Sequence, residues 1–294
     1  MANAGPRPAP SRPGNGEDMG AGIGPVLERP SRRRWPDPSL ALVGTTFWVV
    51  LAFIVVPLGV LAAVSVHPGR FMTFPPQGFS LRWYQTLLTS SQWLEAIRNS
   101  LVVALGSAVL ATSIALVLAL VLDRYPVRFG EYMRRLGMMP LFLPPVIMGV
   151  AFVAFFYEIG FSGRIENLII AHGIFNAPFP LLLISSGLSK VNRELEESAM
   201  NLGARPATVL RTVTLPLIRA DVFAGVLFAF LLSLNEYIVA FLVSGFTVVT
   251  LPIEIFSSLR YSFSPVIAAA SVLFIAGTGF LVWLADRLAG GLWD

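Results

Sequence analysis

The sequence has no cysteine, a single lysine (Lys190) and two histidines (His67 and His172) in 294 residues. Without cysteine there can be no disulfide, no thiolate metal site and no cysteine nucleophile. Neither histidine has a second ligand at a metal-binding spacing. The lysine follows Ser189 rather than glycine, so the Gly-Lys-Ser/Thr core of a phosphate-binding loop is missing. The chain is therefore expected to hydrolyse no nucleotide itself. Charge is also scarce: 13% of residues are charged, against about 25% in an ordinary soluble domain. Apolar residues make up 55% of the chain, and the mean hydropathy is +0.72. The net charge of +4 is no nucleic-acid footprint, because much of the excess lies in one tail and the rest follows the pattern described next.

Residues 1 to 38 hold eight prolines and six glycines with almost no large apolar residue, so they are expected to be a disordered tail. A cleaved signal peptide is the competing reading. The apolar run that follows is too long for a signal core and lacks a convincing cleavage site. Residues 39–294 read as one all-α integral membrane domain. Its expected spans are about 40–66, 97–122, 136–157, 168–187, 217–243 and 264–288, long enough to cross a bilayer. Pro140, Pro144 and Pro145 in the third span, and Pro178 and Pro180 in the fourth, predict kinks or breaks. Residues 80–88 predict a short interfacial helix carrying Trp83 and Tyr84. Asp123 to Arg135, and the segment with Pro252, Glu254 and Arg260, read as loops. Six spans leave sixteen basic residues on one face and five on the other. By the positive-inside rule, both termini and the 190–216 segment are expected in the cytoplasm.

That segment, Lys190 to Pro216, is the longest polar interruption of the apolar domain. Val191, Leu195, Ala199 and Leu202 recur at steps of three and four and predict one face of a short helix, with Arg193, Glu194, Glu196 and Glu197 opposite. Gly203 predicts the helix stop, and Pro206 prevents its immediate resumption. Three glutamates in four positions argue against a helix lying on anionic lipid and for a surface that docks another protein. Glu197-Ser198-Ala199, Gly203 and Val213-Thr214-Leu215-Pro216 stand at a spacing that resembles the EAA loop of ABC-importer permease subunits. Ser198 departs from the usual Ala, and Val213 stands where Ile is common.

The resemblance extends over about residues 40 to 290 to the spermidine/putrescine-type permeases, a branch whose relatives also carry opines and phosphonates. It implies six transmembrane helices and a cytoplasmic coupling helix that inserts into a cleft on an ATPase. Glu197, Ser198, Ala199, Leu202, Gly203, Leu215 and Pro216 would form the coupling element. The implied partners are an ATP-binding-cassette ATPase dimer that holds ATP and Mg, a second and non-identical permease, and a periplasmic solute-binding protein. The chain itself would carry no cofactor, catalyse nothing and sit in the bacterial inner membrane, in contact with the lipid bilayer.

Within the fifth span, Ser233, Asn235, Glu236 and Tyr237 interrupt apolar sequence. Glu236 lies fifteen residues beyond Asp221, which at 1.5 Å per residue is about 22 Å into the bilayer. An ionisable group at that depth costs about 2.5 kcal/mol or more and needs a partner or water. One reading makes these four residues part of the path of a cationic solute such as a polyamine. The others are a structural hydrogen bond to a neighbouring helix and a glutamate that is simply protonated. His172 reads as a satisfied interfacial histidine. The rival function is an ion-coupled secondary transporter using Glu236.

Overall fold

Residues 38–245, 247–261 and 264–293 are described by the computed structural model. The expected tail therefore lies almost wholly outside the described residues. The chain divides into two units, Met1–Ala52 and Phe53–Asp294. All regular elements among the described residues are helices.

Helix α1, Pro38–Ser65, is apolar on every side and tolerates Pro57 in its interior. Phe47, Trp48 and Phe53 stay exposed along it, as befits a helix whose solvent is lipid. The amphipathic α2, Arg82–Thr89, follows. Its Leu87 is fully buried, and Trp83 beside it donates from Nε1 to the His67 carbonyl at 2.8 Å.

The scaffold is α3, Ser91–Arg124. Ala96, Ser100, Val103, Ser107, Ala111, Ala115 and Ala119 recur at steps of three and four, and all are buried. Because lipid is as apolar as leucine, spans associate through close packing of such small residues rather than through the hydrophobic effect. Helix α4, Gly130–Met138, buries none of its residues and begins inside the stretch expected to be a charged loop. It is bent by 109° from α5, Pro145–Glu158. The bend falls at Pro144-Pro145, where two consecutive N–H donors are missing.

Helices α6, Ile165–Asn176, and α7, Pro178–Lys190, meet at 46°, again at a proline. A Cβ on Gly173 of α6 would lie 2.6 Å from Leu110 Cδ2, so glycine is what lets α6 reach α3. Helix α8, Arg193–Asn201, and the single turn α9, Pro206–Val209, form the polar segment. A π-turn over Leu210–Thr214 and the short α10, Leu215–Leu217, then lead to α11, Arg219–Asn235, across a 71° bend. The fifth span, expected to be continuous, stops at Asn235. Glu236 is extended (φ −77°, ψ 122°), and the chain restarts as α12, Ile238–Ser244. Helix α13, Leu251–Tyr261, replaces an expected loop. Its proline is the second residue of the helix, where a missing N–H costs nothing. Helix α14, Pro265–Trp293, closes the chain.

Among the described residues, three helices are long and apolar enough to cross a membrane, and counting each bent pair as one span gives six. Ala104, Ala108 and Ala111 of α3 pack on Ala229, Phe230 and Leu234 of α11 to form the central cluster.

Candidate functional site

Helix α8 is short and polar, and it is held at both ends by its own backbone chemistry. Asn192 caps it, its side chain accepting from the Glu194 N–H at 3.0 Å. At the other end Gly203 has φ +89°. Gly203 N donates to Met200 O at 2.9 Å, and Ala204 N donates to Ala199 O at 3.1 Å. This 5→2 and 6→1 pair is the Schellman arrangement, which requires a left-handed residue at that position. The stop expected at Gly203 thus has a specific geometry behind it.

The faces of α8 differ from the expectation. Leu195 and Leu202 point outward, and Leu202 is 90% exposed. The buried residue is Glu196, while Glu194, Glu197 and Ser198 lie at the surface and Ala199 is half-buried. Of the apolar residues that periodicity grouped, Leu195 and Leu202 face away from the protein, whereas Val191 packs beside Leu188 and Ile218 and Ala199 is half-buried. Arg124, the last residue of α3, grips Glu196 with a two-pronged bridge: Nη2 to Oε1 and Nε to Oε2, each at 2.8 Å. Thr214 Oγ1 donates to Oε1 of the same carboxylate at 2.5 Å. Arg193 also donates to the Asp123 carbonyl at 2.7 Å. Leu215 and Pro216 follow Thr214 directly and start α10 at the bend into α11.

At the α11–α12 break, the Glu236 carboxylate accepts from three backbone N–H groups. Oε1 takes Ile238 N at 3.1 Å, and Oε2 takes Val239 N at 2.8 Å and Ala240 N at 3.1 Å. These are donors that the first turn of a helix leaves unsatisfied. His172 is buried on α6. Its Nδ1 is 2.8 Å from Ser233 Oγ, and its Nε2 is 3.7 Å from Glu236 Oε2. The structure therefore gathers Ser233 and Glu236 around a histidine. Asn235 is exposed and bonds back to Leu231 O at 2.7 Å, and Tyr237 stacks on Phe256 at 4.3 Å.

Residues 111–292 match the family model described as the binding-protein-dependent transport system inner membrane component. That span includes α8, Gly203 and the helix break. The chain belongs to this family.

It is accordingly a multi-pass inner-membrane permease subunit, not an enzyme. Permeases of this family work with a separate ATPase, a second permease and a solute-binding protein. The putrescine transport system permease protein PotI of Escherichia coli is 34% identical over 79% of this chain and 85% of its own length. The spermidine/putrescine transport system permease protein PotC of Haemophilus influenzae is 30% identical over 82% of this chain and 93% of its own. Among solved structures, a bacterial ABC transporter that imports the acidic polysaccharide alginate superimposes with a TM-score of 0.69 at 17% identity. The match covers 87% of this chain and 96% of that one, and it shows a shared fold. Nothing in these findings supports the ion-coupled alternative.

Sequence reasoning missed Arg124 and Glu196 as a pair. The expectation that Glu194, Glu196 and Glu197 share one face is corrected by helix geometry: residues two apart do not face the same way, and it is Glu196 that turns inward.

Proposed function

We propose that this permease subunit imports a small cationic solute of the polyamine class, with both termini and the 190–216 segment on the cytoplasmic face. Helix α8 is the coupling helix: Leu202, with Glu197, Ser198 and Ala199, presents the surface that enters the ATPase cleft. Gly203 sets the turn beneath it, and Leu215-Pro216 sets the angle into α11. The observation that carries this reading is Leu202, a large apolar side chain held almost fully exposed at the tip of a polar, doubly capped helix. Leu195, 51% exposed, lies on the same side of α8, and two exposed leucines on one side of a polar helix fit a surface that a partner protein covers. ATP-driven closure of the ATPases would displace α8, and the membrane helices would re-orient around the solute path.

The polyamine assignment is supported by the names of the relatives and by the placement of a carboxylate where helix α11 breaks within an apolar span. Irregular backbone at membrane depth is tolerated where it is buried in protein or lines a water-filled cavity, and an ionisable group there is by default a candidate functional residue. Ser233, Asn235, Glu236 and Tyr237 are the path residues in this reading. The test is uptake of labelled putrescine by inside-loaded proteoliposomes of the complex purified through this subunit. Wild type is expected to accumulate putrescine with ATP, and Glu236→Gln to accumulate several-fold less at equal assembly. Equal uptake by Glu236→Gln reduces the carboxylate to a helix cap. Wild-type uptake of an uncharged solute in preference to putrescine refutes the solute class.

A further inference from the structure

Helix α8 is joined to the rest of the subunit by polar contacts more than by packing. Of its nine residues only Glu196 is buried. Beside it lies an open cleft of about 490 Å³, lined by Leu120, Tyr125, Met200, Val209 and Leu210 as well as by the ion pair itself. A helix that flanks a cleft lacks the close packing of a protein interior on that side, so its position rests more on the contacts that bridge the cleft. Arg193 bonds the Asp123 carbonyl at the exposed rim, and the remaining side-chain hydrogen bonds from α8 to other elements converge on one carboxylate. Its two oxygens hold the guanidinium of Arg124, whose planar fork fixes direction as well as distance. Oε1 additionally receives Thr214, the last residue of the π-turn before α10 and α11.

The two elements that meet at Glu196 are those that reach the helix break. Helix α3 runs from Arg124 through the alanine cluster shared with α11, and Thr214 is followed within five residues by the start of α11. We propose that Glu196 is the positioning residue of the coupling helix, and that the Arg124–Glu196–Thr214 joint delivers its displacement to the end of α3 and to the head of α11 together. This rests on the reading of α8 as the ATPase-docking helix. It assigns transmission to a residue that touches neither the ATPase nor the solute, whereas the exposed Glu197 belongs to the docking surface.

A joint that transmits motion and a bond that merely stabilises differ in what their loss does to the ratio of transport to hydrolysis. The experiment uses the whole complex, purified through this subunit and reconstituted, with putrescine uptake and ATP hydrolysis measured on the same vesicles. Glu196→Gln keeps the shape of the side chain but gives up one fork acceptor. It is expected to retain the ATPase and its hydrolysis while uptake per ATP falls about tenfold or more. Arg124→Lys retains charge without the fork and is expected to fall less. The double variant is expected to fall no further than the worse single variant, because members of one joint are non-additive. Uptake and hydrolysis falling in proportion, or uptake per ATP at the wild-type value, overturns the proposal. So does loss of the ATPase from Glu196→Gln, which would place Glu196 in the docking surface. Should Glu196→Gln fail to reach the membrane, Thr214→Val decides, since it removes only the hydroxyl donor: unchanged uptake per ATP refutes the joint. Failure of the docking reading shows separately, as an ATPase that stays bound when Leu202 is changed to Glu.

Discussion

Gly203 offers the sharpest perturbation because its surroundings isolate one physical term. Its φ of +89° is in the left-handed region, and a Cβ added there meets nothing within 4 Å. A side chain at this position therefore carries a backbone cost without a clash. For an ordinary L-residue that cost is about 1–2 kcal/mol. Since about 1.4 kcal/mol is a factor of ten, the ratio of formed to unformed turn is expected to drop by roughly 5- to 30-fold in Gly203→Ala. Asn tolerates the left-handed region through its short polar side chain and is expected to lose less, whereas β-branched Val is expected to lose more. The assay is ATP-dependent uptake and ATPase co-purification across the series Gly, Asn, Ala, Val, normalised to the amount of subunit in the membrane. That amount is expected to stay level, because the cost is local to a surface turn. Activity in that descending order supports the left-handed turn as the base of the coupling helix. Wild-type activity in Gly203→Val, or Asn performing worse than Val, refutes the reasoning.

Two further outcomes concern the membrane core. A Cβ at Gly225 would sit 2.9 Å from Pro180 Cβ and 3.2 Å from its Cα. Gly225→Leu is therefore expected to destabilise by about 1–3 kcal/mol through overpacking. Gly277→Leu, where a Cβ meets nothing within 4 Å, is expected to leave the detergent melting temperature unchanged. His172→Ala strands Ser233 Oγ. In a double-mutant cycle with Ser233→Ala, read by detergent unfolding, the pair is expected to show about 0.6–1.7 kcal/mol of coupling. A value near zero would mean that the two side chains act independently.

What could be read from the sequence follows a physical division. The Gly203 stop, the breaks at Pro145 and Pro178, and the grouping of Leu195, Ala199 and Leu202 are consequences of dihedral limits and helical period, which act over a few residues. The orientation of α8 is not such a consequence. Periodicity says which residues share a face but not whether that face meets protein, water or a partner, and here Leu195 and Leu202 point outward. Arg124 and Glu196 are 72 residues apart and pair only because α3 is long enough to bring its end beneath α8. The break at Glu236 was hidden for a related reason. No proline or glycine marks it; instead a carboxylate supplies the acceptors that a new helix needs for its first N–H groups.

The same distinction bears on how the subunit works. Local rules make α8 a stiff unit, capped by Asn192 and closed by Gly203, so it can be pushed without unravelling. A stiff unit beside an open cleft can move as one body, and its motion is passed on wherever it is bonded. Were α8 packed on a full core, displacement would spread over many side chains, and no single residue would control the ratio of transport to hydrolysis. In the proposed joint the buried contact is one carboxylate shared by Arg124 and Thr214, with Arg193 on the Asp123 carbonyl as an exposed second link to α3, so that ratio is expected to depend chiefly on two bonds from α3 and one from the π-turn. Changes in the apolar lining of the cavity, such as Leu120 or Val209, should accordingly alter stability well before they alter coupling.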